Sequence, residues 1–120
     1  MNGIIMMTRC GMTCQSGDVV LIPFPFSDLQ SRKRRPVLVL RPADRYGDMV
    51  CLAITSSPQH ADALILEESS FAAGTLPKRS WVRYEKVFTL NDSLVVGHFG
   101  ALTPAAFKKV LQLFCKHFGC

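Results

Sequence analysis

Arg35 is the residue in this sequence best placed to act on a phosphodiester. It closes the run Arg32, Lys33, Arg34, Arg35 and is followed at once by Pro36 and the apolar stretch Val37, Leu38, Val39, Leu40. Proline fixes its own φ and confines the preceding residue to extended conformations, so Arg35 is presented from a rigid base where a charged loop enters a strand. A guanidinium is planar, stays charged near neutrality and forks its donors onto phosphate oxygens. That suits it to stabilising charge on phosphorus and makes it a poor free general base. Thr55 ends a second apolar run, Met49 to Thr55, and precedes Ser56, Ser57 and Pro58. Its hydroxyl, with that of Ser56 beside it, is a candidate to reach the end of a groove that Arg35 also lines. A threonine ending a strand is ordinarily structural, so this candidate rests on its partner.

A cationic site of this kind can cleave RNA without a metal, because RNA carries its own nucleophile, the 2′-hydroxyl. The protein need only align it and stabilise the charge that develops. Asp18, Asp28, Asp44 and Asp48 fall at expected turns or strand ends, without a spacing that demands a divalent cation. Around Arg35, the residues Arg32, Lys33 and Arg34 read as steering charges, against the plainer reading of a solvated loop. Phe24 and Phe26 are candidates to stack bases, with hydrophobic plugs as the structural alternative. Arg83 and Lys86 are second-tier phosphate contacts. His98, between Gly97 and Gly100, is the one histidine that competes with Arg35 for an acid or base role; His60 and His117 have no evident partner.

The chain as a whole fits that chemistry. Its 120 residues suit one domain, and Lys plus Arg exceed Asp plus Glu by 14 to 9, a net charge of +5 that favours a polyanionic partner. Five cysteines, Cys10, Cys14, Cys51, Cys115 and Cys120, form no disulfide framework and read as reduced thiols. Cys10, Cys14, Cys115, His117 and Cys120 would suffice for a structural zinc if the termini met, an alternative to the expectation of no metal and no cofactor. The apolar stretch Met1 to Met7 is too short for an export signal, and no segment approaches a membrane span, so the expected location is cytoplasmic.

The elements that must position these residues follow from the apolar pattern. Residues 1–16 read as an N-terminal extension, with disorder left open, and 17–120 as the domain. Strands are expected at Val19 to Ile22, Val37 to Leu40 and Met49 to Thr55, pairing as a meander with Cys51 in the core, then at Ala63 to Leu66, Ser80 to Phe88 and Leu94 to Val96. Ser70 to Gly74 reads as one helical turn with a glycine stop, and Gly97 and Gly100 as brackets of a bend. Thr103 as N-cap, Pro104 at the first helical position and the stripe Phe107, Val110, Leu111, Phe114, Phe118, ended by Gly119, predict a terminal helix packed on the sheet. The sum is a mainly β chain with a C-terminal helix, a small and strongly bent barrel.

Three stretches in order carry a family likeness: Gly17-Asp18-Val19-Val20-Leu21-Ile22-Pro23-Phe24-Pro25-Phe26-Ser27-Asp28-Leu29, then Arg35-Pro36-Val37-Leu38-Val39-Leu40, then Ala53-Ile54-Thr55-Ser56. Together with Ser80 to Leu90 they resemble the MazF/PemK toxins of type II toxin-antitoxin systems. The resemblance implies an SH3-like barrel, usually a homodimer, that cuts single-stranded RNA such as mRNA and is neutralised by a cognate antitoxin whose acidic tail fills the RNA groove. It places the family's arginine and threonine on Arg35 and Thr55 and implies 2′-hydroxyl attack that yields a 2′,3′-cyclic phosphate and a 5′-hydroxyl. The loop Gln30 to Arg34 departs from many relatives in lacking glycine and in its charge. Two other readings use the same fold. One is a CcdB-like gyrase inhibitor, whose C-terminal tryptophan motif is missing here, where the one tryptophan is Trp81. The other is an RNA-binding module without activity.

Overall fold

The computed structural model describes residues 14–23, 34–58 and 61–120. Among them are seven strands, β1 (Asp18–Pro23), β2 (Arg34–Arg41), β3 (Asp48–Thr55), β4 (Ala63–Leu66), β5 (Phe71–Gly74), β6 (Ser80–Asn91) and β7 (Gly97–Leu102), followed by helix α1 (Pro104–Phe118). The strands form one sheet in the spatial order β4, β6, β3, β2, β1, β7, β5, and every paired neighbour runs antiparallel. The expected meander of β1 to β3 is its centre, and the mainly β half-barrel with a C-terminal helix is the architecture the sequence implied. Among the described residues no helix is long and apolar enough to cross a membrane.

Period-two alternation in the central strands builds two cores from one sheet. Val20, Ile22, Val37, Val39, Met49 and Cys51 point to one face and gather Leu90 and Val95. Val19, Leu38, Leu52 and Ile54 point to the other and gather Val82, Leu102 and Val110. Both faces being apolar is why these strands read as unbroken hydrophobic runs. Burying each such side chain contributes about 1.5–3 kcal/mol before the entropy of ordering is subtracted. Cys51 is a core residue as expected, and burial pushes its thiol up to about 12, so it stays protonated and inert.

Helix α1 covers the second core through Val110, with Phe107 and Phe114 beside it. Its ends are those the sequence specifies: the Thr103 hydroxyl accepts the Ala106 N–H at 3.0 Å, Pro104 opens the first turn, and Gly119 closes the last in the left-handed region at φ 84°.

Three local expectations are corrected. The helical turn expected at Ser70 to Gly74 is displaced: a 3₁₀ turn occupies Glu68–Ser70, and Phe71–Gly74 is edge strand β5, paired with β7. The stretch Leu94 to Val96 is not a strand; a 3₁₀ turn spans Asp92–Leu94, capped by Asn91, whose side chain accepts the Ser93 N–H. The bend at Gly97 to Gly100 is instead strand β7. Its glycine serves close approach of two backbones: a Cβ on Gly100 would stand 2.2 Å from the carbonyl oxygen of Ala73. The all-thiol reading of the cysteines is also corrected. Cys14, packed in the first core, is disulfide-bonded and so is not a free thiol.

The close approach at Gly100 yields a stability prediction. Gly100→Ala must push β5 away from β7, and a loss of about 1–3 kcal/mol is expected in urea unfolding, as for other overpacked sites. Unchanged stability would contradict the tight β5–β7 packing.

Candidate functional site

The strand registers bring the chemistry together. β2 and β3 pair with Val37 opposite Ala53 and Val39 opposite Cys51. Continuing that register two places past Val37 sets Arg35 opposite Thr55. Both then share the face of the first core, just beyond where its apolar residues end. On the other side of β3 the ladder with β6 is broken: Leu52 faces Val87, yet Ala53 faces Arg83. One step along β3 therefore corresponds to four along β6, and Tyr84, Glu85 and Lys86 are the surplus residues of a bulge. The bulge returns Lys86 to the side of Arg83, which strict alternation would have sent to the opposite face.

The result is a cleft with two adjoining lobes. One, of about 240 Å³, is lined by Arg35, Pro36, Ala53, Ile54, Thr55, Arg83 and Lys86. The other, of about 350 Å³, shares Arg35, Pro36, Ile54 and Thr55 and runs on to Arg34, Ser56 and Lys78 past an apolar wall of Leu21, Leu76, Pro77 and Phe99. Arg35 and Thr55 thus stand at the junction of the lobes. The cationic lobe suits phosphates, and the apolar wall suits the faces of unstacked bases.

Polar contacts fix the groups around that junction. The Ser57 N–H donates to the Thr55 hydroxyl oxygen at 3.0 Å, which orients the hydroxyl while leaving its own proton to donate. The Ser80 hydroxyl donates to the Lys78 carbonyl at 2.8 Å and holds the loop that carries Lys78. Arg83 is oriented by a forked pair of bonds to Glu85, at 3.1 and 3.4 Å, which also offsets part of its charge. Among the described residues five cations, Arg34, Arg35, Lys78, Arg83 and Lys86, line the two lobes together. Such a concentration of one sign is an anion-binding field, strengthened by the low-dielectric floor of the sheet.

Of the residues singled out in the sequence, Arg34, Arg35, Thr55, Ser56, Arg83 and Lys86 come together in this cleft. Phe24, Phe26, Arg32 and Lys33 lie outside the described residues. Lys78 was missed, although the order Pro77-Lys78-Arg79 ahead of strand β6 is a signal of the same kind as the basic run ahead of β2. The wall of Leu76, Pro77 and Phe99 has no comparable signature.

The competing acid and base candidates have other duties. His98 Nε2 lies 3.2 Å from Asp18 Oδ2, which also accepts the Gln15 N–H at 2.9 Å, and His98 lines neither lobe. Asp44 accepts the N–H groups of Asp48 and Tyr46, and these bonds hold its carboxyl below the usual range. Asp48 accepts from the Asn91 side-chain amide at 3.1 Å. His117 packs edge-on against Tyr84. Trp81 is a ladder residue of β6, opposite Thr55 and Ile65.

Comparison with known proteins identifies the family and the fold. Residues 15–118 match the family described as PemK-like, MazF-like toxin of type II toxin-antitoxin system. Among solved structures, MazF from Deinococcus radiodurans is 22% identical with a TM-score of 0.65, over 89% of this chain and 97% of that one. An endoribonuclease in complex with its cognate antitoxin, from a mycobacterial species, is 19% identical with a TM-score of 0.66, over 88% and 93%. The Mycobacterium tuberculosis toxin MazF-mt6 is 16% identical with a TM-score of 0.64, over 85% and 96%. At these identities the likeness shows a shared fold. No curated protein sequence matches the chain.

The newly placed Lys78 can be tested without any cleavage. For binding of a single-stranded oligodeoxynucleotide, Lys78→Ala is expected to reduce the slope of log affinity against log salt by about 0.7, the change expected when one fewer phosphate is neutralised. An unchanged slope would remove Lys78 from the binding surface.

Proposed function

Because the chain belongs to the PemK-like, MazF-like toxins of type II toxin-antitoxin systems, we propose that it is an endoribonuclease that cuts single-stranded RNA, mRNA included, without a metal. The observation that carries this reading is that Arg35 and Thr55 line both lobes of one cationic cleft. In this reading the scissile phosphate sits between those two side chains. The 2′-hydroxyl gives its proton to water as it attacks phosphorus, the bond from phosphorus to the 5′-oxygen breaks, and the leaving oxygen takes up a proton from the Arg35 guanidinium, which water reprotonates. Arg35 also stabilises the charge on the phosphoryl oxygens. Thr55 positions the phosphate through its oriented hydroxyl. The products are a 2′,3′-cyclic phosphate and a 5′-hydroxyl.

The remaining cleft residues bind flanking parts of the strand. Arg34, Lys78, Arg83 and Lys86 take neighbouring phosphates and Ser56 adds a hydroxyl contact, while Arg32 and Lys33 steer the backbone and Phe24 and Phe26 stack bases. The same positive field would attract an acidic segment, which supports neutralisation by a cognate antitoxin that fills the cleft. The mycobacterial structural neighbour was solved with its own antitoxin. The working form in this reading is a homodimer acting in the cytoplasm, where its substrate is found.

The decisive assay incubates the purified protein with mixed RNA in EDTA and maps the new ends. Cleavage is expected to persist in EDTA. Arg35→Ala should slow it by about 10²–10³-fold, the effect typical of removing one donor to a developing charge, with the circular dichroism spectrum unchanged. Intact RNA in EDTA, or equal cutting by Arg35→Ala, would overturn the mechanism.

A further inference from the structure

The last turn of α1 carries a second chemical feature, remote from the catalytic pair. Gly119, in the left-handed region, donates its N–H to the Cys115 carbonyl at 2.8 Å, and Cys120 donates to the same carbonyl at 2.9 Å. The bond from Cys120 spans six residues and marks a Schellman closure, in which the side chains of its first and last residues characteristically meet. Here both of those residues are cysteines. The neighbouring Cys120 side chain, with some burial, raises the Cys115 thiol above its ordinary range. Both are free thiols, Cys120 exposed and Cys115 half-buried.

We infer that Cys115 and Cys120 form an oxidisable dithiol, a site that reacts with low-molecular-weight disulfides of the glutathione class and closes to an intramolecular disulfide across the helix end. The exposed Cys120 thiolate attacks one sulfur of the reagent; the reagent's sulfur–sulfur bond breaks, and one thiolate leaves and is protonated by water. Cys115 then gives up its proton and attacks the Cys120 sulfur of the mixed disulfide, forming the Cys115–Cys120 bond and expelling the second thiolate. Two protein thiols are oxidised by two electrons, and one external disulfide is reduced to two thiols. The Schellman turn makes the second step fast, since its backbone bonds hold the two cysteines at the neighbouring ends of one turn. Selectivity follows from the other described cysteines: Cys51 is buried and protonated, and Cys14 is already bonded. The same turn bears His117, whose ring packs 6.1 Å from that of Tyr84 in the β6 bulge.

The test uses the full chain treated with glutathione disulfide, quenched, alkylated and digested with trypsin. Cleavage after Lys116 separates the two cysteines onto peptides 110–116 and 117–120. The expected product is these two peptides joined and two hydrogens lighter than their sum. In Cys115→Ser the glutathione adduct on Cys120 should persist at least about tenfold longer than in the parent chain, because the internal attack is gone. A long-lived adduct on Cys120 of the parent chain beside an alkylated Cys115, or no reaction at either cysteine, would overturn the inference.

Discussion

The register of β2 against β3 is the constraint on which the rest depends. Side chains alternate with a period of two, and both faces of these strands are buried, so Val37 and Val39 must enter one core while Leu38 enters the other. A slip of one residue would send every one of them to the wrong side, a cost far beyond any gain at the rim. Arg35 and Thr55 sit two places past the paired Val37 and Ala53, and they inherit their alignment from that packing. The core thus does more than stabilise the fold. It sets which polar groups face each other where the apolar residues stop.

The bulge in β6 adds what a regular ladder cannot. Without the surplus residues Tyr84 to Lys86, only every second side chain of β6 would face the cleft. With them, Arg83 and Lys86 line one lobe of the cleft together with the small side chain of Ala53. The cations repel one another, and the protein sustains them on a rigid sheet, with Glu85 neutralising part of Arg83. An approaching polyanion would relieve that repulsion, so the arrangement suits an anionic ligand.

The parts legible in the sequence were those set by local rules. Thr103, Pro104 and Gly119 mark the helix because caps act within one turn, and the strands β1 to β3 announce themselves as apolar runs ended by proline or polar residues. Arg35 was legible because Pro36 restricts it. Non-local pairing was less so. Phe71–Gly74 looks helical until β7 is brought beside it, and β7 looks like a bend until Gly100 meets Ala73. The bulge is invisible in sequence, since Arg83 and Lys86 would alternate in a regular strand. Lys78 reaches the cleft only through the path of its loop, which the hydrogen bond from Ser80 fixes.

The proposed chemistry rests on where the scissile phosphate sits. The most direct test is a crystal structure with an oligoribonucleotide made inert by a single 2′-deoxy substitution at the cleaved position. The scissile phosphate is expected at the junction of the two lobes, its oxygens about 3 Å from the Arg35 guanidinium and within reach of the Thr55 hydroxyl. A scissile phosphate beside His98 and Asp18, or one bound in the cleft away from Arg35, would contradict that placement.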